Sequence, residues 1–305
     1  MPSGSKNLSV TCNDIIAAAL KKAGVYQSGE QASPEEVQDA KFALNTMVKE
    51  WSALGIDVPW RTTITLFVQP GQQSYLIGPT GDNATSAYVE TTLATAADTG
   101  AIALALTSIT GMSDGDHIGI KLDSGVIHWS TLADAASVII ADGLVSGASA
   151  GNSVYAYTDK AYRPQKVIYA LRRNAQGFDV EVTLIGDTEY QGLARKDQPG
   201  YVNQAYYTPT FDNGTLFVWA TSGSDKLVLI TQNLVDNFDA LNDAPQFPIE
   251  WTNALVWNLA SELSPDYGMP LKERMDLERR ATKKLETLLD YDTENASVIL
   301  SRNVR

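Results

Sequence analysis

The chain has 305 residues, 44% of them hydrophobic and 19% charged, enough for a sizeable core in one large domain or two small ones. Lys and Arg number 23 against 36 Asp and Glu, a net charge of −13, which argues against a protein that grips nucleic acid, since that affinity comes from Lys and Arg displacing counterions. The single cysteine, Cys12, excludes an internal disulfide, and no stretch reaches the ~18 consecutive apolar residues of a membrane span.

The start, MPSGSKNLSV, is polar and lacks the apolar segment of a signal peptide, so the expectation is a protein kept in the cytoplasm or carried in a particle assembled there, with no membrane partner. The spacing then predicts a helix over 11–25. Thr11 is an N-cap with Asp14 in the capping-box position. Ile15, Ile16, Ala19, Leu20 and Ala23 form the stripe, and Gly24 sits at the C′ position. Cys12 reads as a small residue on that helix rather than as a nucleophile. Ser33-Pro34-Glu35-Glu36 opens a second helix, whose stripe runs Val37, Ala40, Leu44, Met47, Val48, Trp51 and Leu54 up to Gly55.

From Trp60 the period falls to two. Ile64, Leu66 and Val68 alternate with polar residues, Pro70-Gly71 turns, and Ser74-Tyr75-Leu76-Ile77-Gly78 returns as a hairpin. Residues 86–160 hold two basic residues, Lys121 and Lys160, against eight acidic ones. Short strands are predicted there at 102–107, 117–122, 126–131, 138–141 and 153–157, as in a small β-barrel or sandwich inserted into a loop of the main domain. After Arg163-Pro164, strands are predicted at 166–172, 180–185, 216–220 and 227–231, with a short helix at 187–194. From Phe247 the helical period returns. Trp251, Leu255, Leu259 and Leu263 share one face, and Ala254, Val256 and Trp257 make the others apolar, as in a helix covered on two sides. Pro270 starts a last helix with Leu271, Met275, Leu285, Leu288 and Leu289 as its stripe. Residues 291–305 carry no helical stripe.

The expected fold class is therefore α+β: a helical bundle from N- and C-terminal helical hairpins plus a β-sheet region, with an inserted small all-β domain. The expected organisation is a discontinuous core of 1–85 and 161–290, an insert at 86–160 and an extended tail at 291–305.

The order of these pieces resembles the head-completion adaptors of short-tailed phages, also called packaged-DNA stabilisation or head-to-tail connector proteins. The similar residues are Ala23-Gly24-Val25-Tyr26, Gly29-Glu30, Ser33 with Glu36, Leu44-Asn45-Thr46-Met47 and Glu50-Trp51 near one end. Pro70-Gly71, Ser74-Tyr75-Leu76-Ile77-Gly78, Arg163-Pro164, Glu189-Tyr190 and Leu216-Phe217-Val218-Trp219 follow, then Ala254, Asn258-Leu259-Ala260 and Pro265-Asp266-Tyr267-Gly268. Where many relatives carry Trp-Pro after the late strand, this chain has Trp219-Ala220. The resemblance spans most of residues 10–290, and its specificity lies in the ordered series.

The resemblance implies a non-enzymatic structural protein of the virion head–tail junction. Its subunits would form a twelve-fold ring under the portal, extend the DNA channel, retain packaged DNA and offer a platform to tail or nozzle proteins. Duplex DNA would pass through the lumen without specific binding, which an acidic wall favours by repulsion. The C-terminal segment, with Val298, Ile299, Leu300 and Arg302, would reach the portal. Trp251, Trp257 and Tyr267 are the candidate subunit-interface residues, because large aromatics dominate interface energetics.

Other chemistry is thinly supported. His117 and His128 as a strand-paired metal site lack a Cys or a fixed carboxylate spacing, and packing on a sheet face is the better reading. No phosphate loop occurs, and Gly147-Ala148-Ser149-Ala150-Gly151, which matches the Gly-x-Ser-x-Gly spacing, lies among short predicted strands with no helix pattern and does not read as a nucleophile elbow, so no catalytic, metal or cofactor residue is assigned. The run Arg279-Arg280…Lys283-Lys284 lies among Glu273, Asp276, Glu278 and Glu286 and reads as a salt-bridged face. The alternative function is a virion-associated peptidoglycan hydrolase or a glycan-binding tail component, motivated by the many carboxylates.

Overall fold

The computed structural model describes residues 8–25, 32–53, 61–221 and 226–291. They fall into two compact units, one from Met1–Trp60 with Leu234–Arg305 and one from Arg61–Asn233. In chain order the helices are α1 (Cys12–Lys22), α2 (Pro34–Ala53), the short α3 (Asp187–Gln191), α4 (Thr252–Leu263) and α5 (Leu271–Tyr291), with a 3-10 turn at Ile249–Trp251 leading into α4.

Both α1 and α2 start where side chains satisfy their first free N–H groups. Thr11 Oγ1 accepts the Asp14 N–H at 3.3 Å and the Asp14 carboxylate accepts the Thr11 N–H at 2.9 Å. Ser33 and Glu36 make the same reciprocal pair at 3.3 and 2.7 Å, with Pro34 as the first residue of α2. Gly24, at φ 73°, follows α1 in the left-handed region. α1, α2, α4 and α5 bury Ile15, Ile16, Leu20, Leu44, Val48, Leu255, Leu259, Leu263 and Leu277 in one core. The segment after the β unit is tied onto α1 and α2. Asn45 accepts the Phe238 N–H at 2.8 Å and donates to its carbonyl at 3.2 Å, Asp243 O accepts from Cys12 N at 2.8 Å, and Lys49 donates to Val235 O.

The other unit is built of strands: β1 (Arg61–Phe67), β2 (Ser74–Ile77), β3 (Ala84–Thr85), β4 (Val89–Thr92), β5 (His117–Lys121), β6 (Ile127–Asp134), β7 (Ile139–Ile140), β8 (Ser153–Tyr157), β9 (Pro164–Arg173), β10 (Asp179–Leu184), β11 (Gln204–Thr208), β12 (Gly214–Trp219) and β13 (Lys226–Asn233). Eight form one sheet in the order β2-β12-β11-β10-β9-β13-β1-β3, antiparallel throughout except for the parallel pair β10–β11. Every strand of this sheet sends side chains into the same interior. Ile64, Leu66, Tyr75, Ile77, Ala84, Val167, Ala170, Val182, Ala205, Leu216, Val218, Leu227 and Leu229 pack together. The two strands at the ends of the order, β2 and β3, are joined directly by the 78–83 turn. The sheet thus curls into a nearly closed barrel.

A five-stranded sheet, β4-β8-β5-β6-β7, has its own core of Ile118, Ile120, Leu132, Ile140 and Val154. It meets the barrel through aromatics. Phe67 of β1 lies 4.7 Å from Tyr155, 5.1 Å from Trp129, 5.3 Å from Tyr88 and 6.2 Å from Tyr157 between ring centroids. Gln69 pairs with both backbone groups of Ile127 at 2.8 and 2.9 Å. Lys226 of the barrel reaches Glu90 of β4 at 2.6 Å, with its ammonium over the rings of Tyr155 and Tyr88 at 5.1 and 5.3 Å.

The expected fold class needs correction. The sequence pattern implied a helical bundle from the terminal hairpins plus a β-sheet region, with an inserted small all-β domain. The structure is dominated by strands, and its largest element is the nearly closed eight-stranded barrel-like sheet, with five α-helices among the described residues. The reason is closure. The strands after Arg163 do not make an open sheet laid on helices but curl with β1, β2 and β3 around a core of their own. β11 escaped the sequence reading because Gln204-Ala205-Tyr206-Tyr207-Thr208 lies in a stretch dense in Pro, Gly and Asn. The strand expected at 102–107 exists only as two isolated bridges, Leu93 to Leu106 and Ala103 to Ile139.

Candidate functional site

Along α5 the helical unit leaves apolar and charged side chains open on its surface. At about 100° per residue, Leu271, Met275, Glu278 and Thr282 share one flank of the helix, and Glu273, Asp276 and Arg280 lie roughly opposite, with Leu277 turned toward the core. Each flank borders a concavity within the helical unit.

On the first flank, a groove of about 560 Å³ runs between α5, α2 and α4. Its apolar wall comprises Met47, Trp51, Leu271 and Met275. Leu271 and Met275 are 64% and 62% exposed, so this part of the stripe expected of α5 does not reach the core. Its polar lining includes Glu50, Glu262, Glu278 and Arg274. None of these four side chains has a hydrogen bond or ion-pair partner among the described residues, and Arg274 Nε is shielded from solvent without an acceptor. Three carboxylates and one guanidinium thus share a cavity without pairing.

On the second flank, a concavity of about 350 Å³ is centred on Trp257. Lys22 Nζ of α1 stands 4.1 Å from the centroid of the indole and Arg280 Cζ of α5 at 5.8 Å, both within cation–π range. Asp276 beside them is occupied by Arg279 at 2.8 Å.

The structure separates the interface candidates. Trp251 is 4% exposed and packs in the helical core against Trp51 and Phe247, with centroids 6.1 and 5.8 Å away. It continues the stripe of Leu255, Leu259 and Leu263, and that register turns it inward. Trp257 and Tyr267 are half-buried at the edge of the same core and keep surface to offer. Val298, Ile299, Leu300 and Arg302 lie outside the described residues. The groove carboxylates were not singled out from the sequence, because charged residues on amphipathic helices look alike until their neighbours are known.

The remaining candidates resolve into packing. The register pairs Ile120 with His128 and Thr131 with His117, which puts the two imidazoles on opposite faces of their sheet. His117 lies on Tyr157 at 5.0 Å, and burial pulls its pKa down. Cys12 is fully buried. Burial pushes its thiol up to about 11, with Lys41 opposing and Asp243 adding to the shift, so at neutral pH it is a thiol and not a thiolate. The carboxyls with displaced pKa values, Asp14, Asp123, Asp134, Asp179 and Asp197, all move downward through hydrogen bonds they accept. A hydrolase's general acid needs the opposite direction. No helix among the described residues is long and apolar enough to cross a membrane.

No protein-family model matches this chain, and a search of the curated proteins returns no match.

Proposed function

We propose that this chain is a structural subunit of the virion head–tail junction, an adaptor that assembles as a ring under the phage portal. In this reading it extends the DNA channel and presents a platform to tail proteins. The observation that carries the reading is the incompletely covered helical unit: α5 leaves Leu271 and Met275 open beside a groove of charges without partners among the described residues. Exposed apolar surface rimmed by polar groups marks a docking face, and here it sits on the helices that the family resemblance places side by side around the ring. The net charge of −13 supports a conduit role, since copies arranged around duplex DNA repel its phosphates and leave it free to slide.

The test is assembly on the portal of the same phage. Mixed with purified portal, the chain should form a complex of discrete mass in mass photometry, with a ring visible in electron-microscopy class averages. A chain that stays monomeric beside portal across ionic strengths ends this reading. Self-association without portal is not required of it.

A further inference from the structure

We infer that the two flanks of α5 are the two halves of one head-to-tail contact between copies, in which the Lys22–Trp257–Arg280 face of one copy seats against the Glu50–Glu262–Glu278 groove of the next. The inference rests on the ring reading and names its interface.

Three observations carry it. First, the flanks lie on opposite sides of a single helix, roughly 180° apart by helical geometry. A copy therefore presents one flank to each neighbour, as a contact between unlike surfaces requires. Second, the charges complement. The groove holds three carboxylates and one guanidinium, all without partners among the described residues. The opposite flank holds Lys22 and Arg280, with Glu273 as its remaining acidic member once Asp276 is engaged by Arg279. An excess of negative charge faces an excess of positive charge, on a chain whose copies otherwise repel. Third, the apolar parts complement too. Trp257 is a half-buried aromatic between cations, the residue type that anchors interfaces, and the groove wall supplies the exposed Leu271 and Met275. Contacts of this unlike-face kind propagate as closed rings or open filaments according to the rotation between copies, and a portal template would select closure.

Charge reversal in trans tests this. One full-length variant carries Lys22→Glu and Arg280→Glu, the other Glu262→Lys and Glu278→Lys. All four residues are exposed or half-buried, and circular dichroism with thermal melting checks folding. Each variant alone should bind neighbours on the portal at least about tenfold more weakly than the wild type, read as copies per portal by mass photometry. An equimolar mixture should restore wild-type occupancy, because alternating copies then meet opposite charges at every contact. Should a reversal fail to fold, Lys22→Gln with Arg280→Gln takes its place, with loss of occupancy expected. Full occupancy by both single-variant preparations overturns the inference while leaving the ring reading intact, as does a mixture no better than its components. Loss of portal attachment with unchanged copy-to-copy contacts assigns the groove to the portal and also overturns it. Failure of the wild type to assemble at all removes the ring reading itself.

Discussion

The two units of this chain solve the burial problem differently. The β unit closes on itself. Eight strands curl around one core, and the second sheet seals its junction with the barrel by aromatics, a reciprocal amide contact and a shielded ion pair. The helical unit buries a core too but stops short, leaving Leu271 and Met275 at 64% and 62% exposure beside a groove whose charges have no partner among the described residues. A barrel has few edges to offer, whereas a helix has two flanks besides the one it buries. On the proposed reading the helices carry the contacts between copies, while the strands close on themselves.

The sharpest way to break that contrast is to cut both cores and compare. Phe67→Ala in the β unit and Trp251→Ala in the helical unit should each cost about 3–5 kcal/mol, because both rings are almost fully buried among other aromatics. Urea titration followed by near-ultraviolet dichroism measures this, and a cost below about 1 kcal/mol for either would place that ring outside its core.

Lys226→Ala should come next, at about 1–3 kcal/mol. The lysine side chain is 9% exposed, but Glu90 keeps 42% and can recover water when its partner is lost, so the full cost of a buried pair is not reached. Retention of most stability by Lys226→Met would assign the effect to the aliphatic stem and not to the charge.

The β unit as a whole should fail in alkali, through the barrel tyrosines Tyr75 and Tyr207 and the junction tyrosines Tyr155 and Tyr157. Burial raises the pKa of Tyr75, Tyr155 and Tyr157, and pushes Tyr207 up to about 12. Lys226 is also raised. Its burial opposes the charge, but Glu90 and the neighbouring phenols outweigh it. Groups whose folded pKa lies above the unfolded value contribute stability that is intact below the unfolded pKa and lost as pH rises through the folded one. The melting temperature should therefore hold up to about pH 10 and fall steadily through pH 12, with phenolate absorbance near 295 nm tracking the loss. Tyrosines that titrate fully by pH 10, with no change in melting, would contradict their burial.

Trp257→Ala should lower the stability of the free chain by only about 1 kcal/mol, since the ring is half-buried, yet abolish lateral contact on the portal. A free-chain cost equal to that of Trp251→Ala would mean that Trp257 serves the core. The smallest effect should come from Asp14→Ala, about 0.5–1 kcal/mol through the lost cap of α1, read as a slightly lower melting temperature.

The terminal helices were legible because their signals are local. Thr11 with Asp14 and Ser33 with Glu36 form the pairs their spacing implies. The strands on either side of Pro70-Gly71 were legible for the same reason, but the hairpin expected between them does not form: β1 pairs with β13 and β3, and β2 with β12. The barrel was not, because its closure depends on which distant strands pair, and no local period encodes that β1 lies between β13 and β3. The site was half legible. Trp257 stood out as a large aromatic off the main stripe, while Trp251 belonged to that stripe and went inward. Glu50, Glu262 and Glu278 became visible only when α2, α4 and α5 brought them to one cavity.

The pairing of β1 with β13 also sets a schedule. Thr62 accepts a hydrogen bond from Thr231 across a separation of 169 positions. During synthesis, at about 5–20 residues per second, the strand Ile64-Thr65-Leu66-Phe67 is made roughly 8–35 seconds before its partner exists. For that interval one side of it has no ladder to join, and the barrel cannot begin to close until nearly the last strand has left the ribosome.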